Sequence, residues 1–518
     1  MCGIAGIYIF KENVKPGHIK KMTDSLRHRG PDDEGFLAVN SEINKVYPLT
    51  GSNSKVQGPS IEGFDRPVNL LLGHRRLSII DLSAAGHQPM SNEDGSLWIV
   101  HNGEIYNYIE IRKELELLGH HIQSKTDTEV ILHSYEEWGV NCLRRFNGMW
   151  AFGIVDLRKK KIFCSRDRAG VKPFYYIYDG KRFCFASEIK ALLKIDGITI
   201  EPNEPVLADY LLSGLLDHTQ ETFFKNIYQL RPGEYLLINN DGMVIQSYWD
   251  VESKETYFSE ESDYAEQFYE LLKDSIRLRL RSDVPIGTCL SGGLDSSSIV
   301  CLANRLMFNG QNIDPHLVGE RQKTFSSCFE DDAYDERKFI DPVIEQTGAE
   351  KNFIFPQVEN FHKDLPNLIW HQDEPFGSTS IYAQWKVMKL AKERGVTVLL
   401  DGQGADELLA GYTPAFYHLF IQSLKRGHFV RFLKEVKEFK NRHEIKWFHF
   451  PTGMMAALLP PREKFNLQRI TKNGIEWANE DFIHHYFRPF TGPKRFEDVL
   501  KNYLYQAFRF VALPGLLH

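Results

Sequence analysis

Ser291-Gly292-Gly293-Leu294-Asp295-Ser296-Ser297 is the stretch that decides how the second half of this 518-residue chain folds. An apolar run at 284–290 precedes it and predicts a buried strand, and residues 298–303 after it predict the first turns of a helix. Glycines let a backbone approach a ligand closely, and the free N–H groups of a helix N-terminus favour an anion. Because three serine hydroxyls add further donors, the pattern predicts a phosphate-binding loop.

Asp295 places a carboxylate inside this phosphate site. Two neighbouring anions repel each other unless a cation lies between them, so Asp295 implies Mg²⁺ bound together with the phosphates. The alternative is a Ser/Gly turn whose aspartate caps the helix. The loop lacks the GxxxxGK[ST] pattern of the ordinary P-loop. It resembles instead the pyrophosphate loop of ATP pyrophosphatases, which split ATP between its α- and β-phosphates and leave an acyl-adenylate.

Length and composition exclude several classes of protein. A chain of 518 residues predicts two or three domains, and a net charge of −7 without a long basic block gives nucleic-acid binding little support. Neither an apolar run of about 18 residues nor a basic leader with an apolar core is visible, so no membrane span or secretory signal is expected. Seven dispersed cysteines without a CxxC pair predict a reduced, cytoplasmic protein that lacks structural zinc.

The chain begins Met1-Cys2-Gly3-Ile4, with a cysteine at the second position. A start methionine before a small residue is commonly removed, which would leave Cys2 with both a thiol and a free α-amine. An α-amine has a pKa of about 8, so a useful fraction is an unprotonated base at neutral pH. Nucleophile and base would then share one residue. The alternative is a cysteine without catalytic importance.

Two later motifs carry charges that suit the two ends of an amino acid. Residues 74–81 form a basic turn that runs into a short apolar strand, and the Arg76 guanidinium could clamp a carboxylate with two hydrogen bonds. The alternative is a surface arginine. Residues 126–131 begin a helix, in which Asp127 could hold an ammonium group or could merely cap the helix.

Residues 98–107 predict a strand that ends at Asn102-Gly103. Asn-Gly alone predicts a hairpin turn. The functional interpretation is an oxyanion hole, formed by the Asn102 side-chain amide and the Gly103 backbone N–H.

Taken in order, MCGI, HRRLSI, HNGEIYN and TDTEV resemble the class II glutamine amidotransferase domain over roughly residues 1–250. This resemblance implies an N-terminal-nucleophile fold, an αββα sandwich. It implies that the Cys2 thiolate attacks the carboxamide of glutamine, and that water then hydrolyses the glutamyl thioester after ammonia has left. The remaining roles follow position by position: Arg76 binds the α-carboxylate of glutamine, Asp127 binds its α-ammonium, and Asn102 and Gly103 bind glutamine and the oxyanion.

The second half alternates predicted strands and helices. Strands at 323–329 and 397–400 join the strand before the serine-rich loop, which predicts an open parallel α/β sheet with its ligand at the carboxyl ends of the strands. The segment 401–407, DGQGADE, follows the last of these strands. Its functional interpretation makes Asp406 a second Mg²⁺ anchor opposite Asp295. The alternative is an acidic first turn favoured by the helix dipole.

Both halves together resemble the glutamine-dependent asparagine synthetase family over nearly the whole chain. The resemblance implies a glutaminase domain at 1–250, a linker at 251–262, and a synthetase domain of ATP-pyrophosphatase type at 263–518. It implies ATP and Mg²⁺ as cofactors, L-glutamine as nitrogen donor, and a shielded passage for ammonia, which must stay unprotonated. The implied metal ligands are Asp295 and Asp406. The implied ATP-binding residues are Leu290, Ser291, Gly292, Gly293, Asp295, Ser296, Ser297, Ser327, Gly402 and Asp406.

Two departures from the family pattern leave the acceptor open. Gln403 stands where many asparagine synthetases have glutamate, and a neutral amide cannot take a proton. Aspartate remains the expected acceptor, with another carboxylate, such as a uronic acid sugar of a polysaccharide, as the alternative. The chain ends at His518, where the family continues into helices with a pyrophosphate-binding lysine, so the synthetase domain is expected to lack its C-terminal part. A non-catalytic interaction protein is the alternative of another class, and a homodimer is compatible with the sequence.

Overall fold

The computed structural model describes residues 1–253, 258, 260–309, 319–331, 333–443, 449–459 and 479–518. Contacts between residues divide the chain into two units, one of 1–199 and 226–402 and the other of 200–225 and 403–518. Part of the predicted linker, residues 254–257 and 259, lies outside the described residues. The predicted domain boundaries therefore remain predictions.

The strands are named in chain order. They are β1 (Gly3–Ile9), β2 (Asp33–Asn40), β3 (Lys45–Leu49), β4 (Leu70–Arg76), β5 (Met90–Ser91), β6 (Leu97–Ile105), β7 (Gly148–Asp156), β8 (Lys161–Arg166), β9 (Tyr175–Tyr178), β10 (Arg182–Ala186), β11 (Tyr228–Gln229), β12 (Glu234–Asn239), β13 (Gly242–Ser247), β14 (Ile286–Cys289), β15 (Lys323–Ser327), β16 (Glu350–Ile354) and β17 (Val398–Leu400).

The described α-helices are named in the same way. They are α1 (Pro16–Ser25), α2 (Tyr108–Leu117), α3 (Asp127–Trp138), α4 (Ile189–Leu192), α5 (Glu204–Ser213), α6 (Glu261–Arg279), α7 (Leu294–Asn309), α8 (Arg337–Thr347), α9 (Val358–Gln372), α10 (Ser380–Glu393), α11 (Ala405–Leu409), α12 (Thr413–Lys425), α13 (Phe429–His443), α14 (His449–Leu458), α15 (Glu480–Tyr486), α16 (Val499–Gln506) and α17 (Leu513–Leu517).

Two antiparallel sheets face each other in the first half of the chain. One has the strand order β11-β9-β10-β1-β4-β2-β3 and the other the order β13-β12-β8-β7-β6-β5. Apolar side chains from both sheets fill the space between them, and the Phe185 ring reaches across from Gly6 to Gly153. A Cβ at Gly6 would lie 2.1 Å from that ring, so only glycine leaves room for it.

Helices cover the outer faces of the two sheets. Helices α1 and α4 pack on the seven-stranded sheet, and α2 and α3 pack on the six-stranded sheet through residues such as Ile111 and Val130. The result is the αββα sandwich that the resemblance to class II amidotransferases implies.

The third sheet is parallel, with the strand order β16-β15-β14-β17. It contains the three strands predicted from the sequence, at 286–289, 323–327 and 398–400. Because all run in one direction, the segments that follow β14, β15 and β17 leave from the same edge of the sheet. The predicted parallel α/β sheet is confirmed.

The other unit is helical in its described residues. Phe420, Val436 and Phe439 form one of its apolar clusters. A second cluster joins Ala208 and Leu212 of α5 to Ile483 of α15, so the segment 200–225 belongs to this unit although it precedes β11. No helix in the described part of the chain is both long enough and apolar enough to cross a membrane.

Candidate active sites

One pocket in the sandwich brings together all five residues predicted for the glutaminase reaction. Cys2 immediately precedes β1, Arg76 ends β4, Asn102 and Gly103 lie in β6, and Asp127 begins α3. All five line the same cavity. Three strands of the two sheets and one helix therefore converge on one site.

The Cys2 thiol lies at the floor of this pocket. The Leu77 N–H donates to Sγ at 3.4 Å, and Arg29 Nε donates to the Cys2 carbonyl oxygen at 2.9 Å. Burial raises the pKa of the thiol. The Met1 amine also lines the pocket, where burial lowers its pKa to about 5. An amine at this place is therefore an unprotonated base at neutral pH.

Asn102 is fully buried, and neither polar atom of its side chain has a hydrogen-bond partner within the described residues. An unpaired buried amide costs about 1–3 kcal/mol, so this amide suits a bound ligand. A Cβ at Gly103 would lie 2.1 Å from the Met149 carbonyl oxygen, so only glycine fits here. Since β6 continues to Ile105 in pairing with β7, the hairpin alternative for Asn-Gly is wrong.

The Arg76 side chain is buried, so the surface-arginine alternative is wrong. Its guanidinium donates to three backbone carbonyls, those of Ser83 at 2.8 Å, Ile80 at 3.3 Å and Asp81. The described chain offers Arg76 no ion pair with a carboxylate. A buried cation that lacks a carboxylate partner is suited to an anionic substrate group.

Asp127 is the first residue of α3, and the cap of this helix is Thr126, whose hydroxyl accepts from the Glu129 N–H at 3.2 Å. The capping alternative for Asp127 is therefore wrong. Its carboxylate is buried and accepts from the Ile105 N–H at 2.8 Å. Burial raises the pKa of Asp127 to about 7, and the neighbouring charge of Glu104 adds to this effect.

Sequence reasoning missed two charged residues of this pocket. Glu104 and Lys172 both line it and are both buried. Burial raises the pKa of Glu104 and lowers that of Lys172. Glu104 directly follows the HNG motif, which was the available signal. Lys172 stands in a run that indicates only sheet and turn.

Arg29 also begins a series of ion pairs, buried at Arg29 and Glu188 and partly buried at Lys190 and Asp373, that ends in the second half of the chain. Arg29 Nη1 lies 2.8 Å from Glu188, Lys190 Nζ lies 2.6 Å from Glu188, and Lys190 Nζ lies 3.0 Å from Asp373. Burial opposes ionisation of Glu188, but the hydrogen bond from His28 and these cations lower its pKa. These ion pairs thus link the backbone of Cys2 to the end of α9.

A second link joins the rim of the pocket to the residues just before β14. Asp283 accepts from the Asp81 N–H at 2.7 Å and donates its own N–H to the Ile79 carbonyl at 2.9 Å. Arg281 pairs with Glu110 of α2 at 2.6 Å. The segment 279–283, which leads into the parallel sheet, is therefore fixed to the rim of the Cys2 pocket.

The serine-rich loop begins after β14, and α7 begins at Leu294, which places Asp295 in the first turn of the helix. The Ser291 and Ser296 hydroxyls lie 3.0 Å apart. Gly292 has a φ of +82°, and a Cβ there would lie 2.7 Å from Phe339 Cβ. The geometry is the predicted strand–loop–helix arrangement.

Three other predicted ATP-site residues surround this loop. A Cβ on Gly402 would lie 3.3 Å from Asp295 Cβ, so this glycine keeps open the space beside the aspartate. Leu290 is buried at the end of β14, and the Ser327 hydroxyl at the end of β15 is buried and has no hydrogen-bond partner among the described residues. The oxygen donors here are the kind that Mg²⁺ prefers, so Asp295 and the serines fit this ion.

Ser297 and Gly293 complete the loop on the side of α7. The Ser297 N–H donates to the Gly293 carbonyl at 3.0 Å, within the first turn. Asp406 is in the first turn of α11, in the other unit. Its predicted pairing with Asp295 around a metal therefore remains a prediction.

The two sites coincide with two known domain families. Residues 50–249 match the family model of a glutamine amidotransferase domain, which contains all the predicted glutaminase residues except Cys2, and residues 267–500 match that of asparagine synthase. The chain belongs to the glutamine-hydrolysing asparagine synthetase family.

Similar proteins bear names from this family. The putative glutamine-hydrolyzing asparagine synthetase 2 of Methanocaldococcus jannaschii is 35% identical over 457 residues, which cover 85% of this chain and 79% of that protein. Glutamine-hydrolyzing asparagine synthetase 1 of Bacillus subtilis is 32% identical over 417 residues, 80% of this chain and 59% of that one. This chain therefore spans less than two thirds of the length of the latter relative.

Solved structures give a weaker similarity. Glutamine phosphoribosylpyrophosphate amidotransferase from B. subtilis, complexed with ADP and GMP, aligns with a TM-score of 0.37 at 19% identity. The alignment covers 78% of this chain and 91% of that chain.

Proposed function

We propose that this protein is a glutamine-hydrolysing, ATP-dependent amide synthetase, in which the Cys2 pocket releases ammonia and the serine-rich loop binds the ATP that activates a carboxylate. The observation that carries the proposal is that one cavity brings together Cys2, an unpaired Asn102 amide, an Arg76 without a carboxylate partner among the described residues, and the Asp127 carboxylate. Arg76 is complementary to the α-carboxylate of glutamine, Asp127 to its α-ammonium, and Cys2 and Asn102 to its carboxamide.

In the proposed glutaminase reaction, Arg76 holds the α-carboxylate of glutamine and Asp127 holds its α-ammonium, which presents the carboxamide to Cys2. After removal of Met1, the α-amine of Cys2 takes the thiol proton, because an α-amine has a pKa of about 8 and is partly unprotonated at neutral pH. The thiolate then attacks the amide carbon. The Asn102 amide and the Gly103 N–H stabilise the oxyanion. The proton passes to the departing ammonia, and water releases glutamate from the thioester.

In the proposed synthetase reaction, a carboxylate oxygen of the acceptor attacks the α-phosphorus of ATP, and pyrophosphate leaves. Ammonia then attacks the acyl carbon through its lone pair, the bond to AMP breaks, and the nitrogen loses one proton to the departing AMP or to water as the amide forms. Ser291, Ser296 and the N–H groups of the loop bind the pyrophosphate. Asp295 and Asp406 would hold Mg²⁺, which would supply charge neutralisation at the leaving group.

Aspartate is the proposed acceptor, and the product is then asparagine. Gln403 favours the second candidate, in which the same reaction amidates another carboxylate such as a uronic acid sugar. A glutamate at this position could take a proton from the incoming ammonia, whereas the amide of Gln403 cannot. A cytoplasmic location and a homodimer belong to this proposal as well.

Glutamine hydrolysis tests the glutaminase reaction, and ATP–pyrophosphate exchange tests the synthetase reaction and its acceptor. Radioactive pyrophosphate should enter ATP in the presence of Mg²⁺ and the correct acid, since adenylation is reversible. Exchange with aspartate supports asparagine synthesis, and exchange with a uronate alone replaces aspartate with a sugar acid. If glutamine is not hydrolysed and no acid supports exchange, the proposed function is wrong.

A further inference from the structure

Two histidines and a glutamate meet at a second point in the glutaminase half. His120 follows α2, and His133 and Glu136 lie three residues apart on α3. One ligand atom of each lies within 4.8 Å of those of the other two. His120 Nδ1 is 3.1 Å from His133 Nδ1, and Glu136 Oε2 is 3.8 Å from His133 Nδ1. The separations of 3.1 and 3.8 Å are those that two ligands of one metal ion have.

The outer nitrogens of both rings face carboxylates. His120 Nε2 lies 3.1 Å from Glu137 Oε2, which can only accept when ionised, so this contact suits the tautomer with the proton on Nε2 and the lone pair on Nδ1. His133 is buried, and its Nε2 lies 3.9 Å from both Glu93 and Glu129, which also favours the proton on Nε2. Two neutral rings in these tautomers direct two lone pairs at each other across 3.1 Å. This arrangement is repulsive unless a cation lies between them.

The charge around the pair also calls for a cation. Four carboxylates surround it, those of Glu93, Glu129, Glu136 and Glu137. The cation paired with one of them is Arg158, which lies 3.0 Å from Glu136 Oε1 and is shared with Asp94. Glu136 Oε2, the oxygen nearer to His133, is left to face the ring nitrogens.

We propose that His120, His133 and Glu136 bind a divalent transition-metal ion, for which Zn²⁺ is the best match. Two neutral imidazole nitrogens and one carboxylate oxygen are ligands that Zn²⁺ takes in tetrahedral sites, with water in the fourth position. Glu137 orients the His120 ring from behind, as outer carboxylates do for metal-bound histidines. The prediction of no structural zinc rested on cysteine spacing, which cannot reveal a histidine–carboxylate site.

The site would join the loop after α2 to the middle of α3. Asp127, the residue that faces the glutamine pocket, stands at the start of the same helix. A metal ion bound at His133 and Glu136 therefore stabilises the helix that presents Asp127, without contact with the substrate. The proposal is independent of the reaction proposed above.

Metal analysis of the full-length protein tests the site. The parent is Cys2→Ala, so that the pocket thiol does not bind the probe. The parent is dialysed against Zn²⁺ and compared with His120→Gln, whose side chain is partly exposed, so that the fold tolerates the change. His121→Gln, which changes the exposed neighbouring histidine, is the matched control. We expect His120→Gln to lose one equivalent of zinc and the zinc-dependent rise in melting temperature, while the control keeps both.

Two further measurements separate a metal site from a merely structural contact. Glu137→Gln should weaken zinc affinity about 10- to 100-fold, because His120 loses its orienting carboxylate. Co²⁺ in place of Zn²⁺ should give the visible absorption of a tetrahedral site in the parent and in His121→Gln, and not in His120→Gln. Equal zinc content in His120→Gln and His121→Gln, or no bound zinc in the parent, would show that the two rings share a proton, and the proposal would be wrong.

Discussion

Replacing Gly86 by alanine should damage glutamine binding without damaging the fold. Gly86 ends a short helical turn at 84–86 and lies directly beside the buried Arg76 guanidinium. An added Cβ would lie 1.8 Å from Nη2 of this arginine and 2.2 Å from its Cζ. Ordinary contact between such atoms is about 3.5–4.0 Å, so the guanidinium must move by well over 1 Å.

The movement falls on a flexible side chain rather than on backbone. Arg76 would leave the carbonyls of Ser83, Ile80 and Asp81 that now fix it, while the strand that carries it stays in place. A misplacement of about 1 Å in a substrate-positioning group can cost roughly 100-fold in rate. We therefore expect kcat/KM for glutamine to fall about 100-fold, or about 2.7 kcal/mol of transition-state stabilisation.

Steady-state glutamine hydrolysis measures this loss, and amide synthesis from ammonium salts is the internal reference. Synthesis from ammonia should be unchanged, because it does not use the glutamine pocket. Gly17→Ala is the matched control, since a Cβ there meets no atom within 4 Å. Normal kcat/KM for glutamine in Gly86→Ala, or an equal loss with ammonia, would refute the assignment of Arg76 to the glutamine carboxylate.

Further changes test other parts of the two sites. Cys2→Ala should abolish glutamine-dependent synthesis and leave ammonia-dependent synthesis intact, and persistence of the former would contradict a Cys2 nucleophile. Because burial raises the pKa of Asp127 to about 7, its carboxylate becomes charged as the pH rises through this value. The affinity of the Cys2→Ala variant for glutamine, measured by calorimetry, should therefore increase about tenfold between about pH 6 and pH 8. Adding Asp127→Asn should weaken glutamine binding and remove this increase. If the affinity of Cys2→Ala alone does not change with pH, Asp127 does not bind the glutamine ammonium. Glu188→Gln should lower the free energy of unfolding by about 3–5 kcal/mol at neutral pH. The loss should be smaller below about pH 4, because the pKa of Glu188 is lowered in the folded protein and its stabilising effect fades as the pH falls. Glu201→Gln, at an exposed ion pair, should change this free energy by less than about 1 kcal/mol. Equal denaturation midpoints for the Glu188→Gln and Glu201→Gln variants would show that the ion pairs of Glu188 do not stabilise the fold. Gly292→Ala should abolish ATP–pyrophosphate exchange and leave glutamine hydrolysis unchanged, and normal exchange would exclude this loop from the ATP site.

Sequence patterns were sufficient where a feature depends on neighbours along the chain. The serine-rich loop combines a short apolar strand, glycines and a helix start within a few residues, and the structure has this order at 286–309. Asp295 lies in the first helical turn, as the motif requires. Such local features do not depend on how distant segments pack.

The sandwich could not be derived from periodicity. Strands β1 and β4 are buried on both faces, since β6 of the other sheet covers one side and α1 the other. Strands of this kind have no apolar–polar alternation and resemble buried helices in composition. The resemblance to a family supplied what the pattern did not contain.

Other features could not be predicted from the sequence because they depend on contacts between segments far apart along the chain. The grouping of segment 200–225 with residues 403–518 depends on α5 packing against α15, far along the chain. Lys172 lines the Cys2 pocket only because β1, β4 and β6 converge there, and its own stretch of sequence has no sign of this. The identity of Thr126 as the cap of α3, rather than Asp127, is likewise settled by one hydrogen bond.

The attachment of segment 279–283 to the pocket rim bears on any attempt to separate or recombine the two activities. A glutaminase fragment cut near residue 250 would lose Arg281 and Asp283, and would leave the Asp81 amide and the Ile79 carbonyl without their partners. A chimera that takes its synthetase half from a relative would need matching side chains at these two positions. The smallest transferable piece that keeps the amide-hydrolysing pocket intact therefore extends past the end of α6.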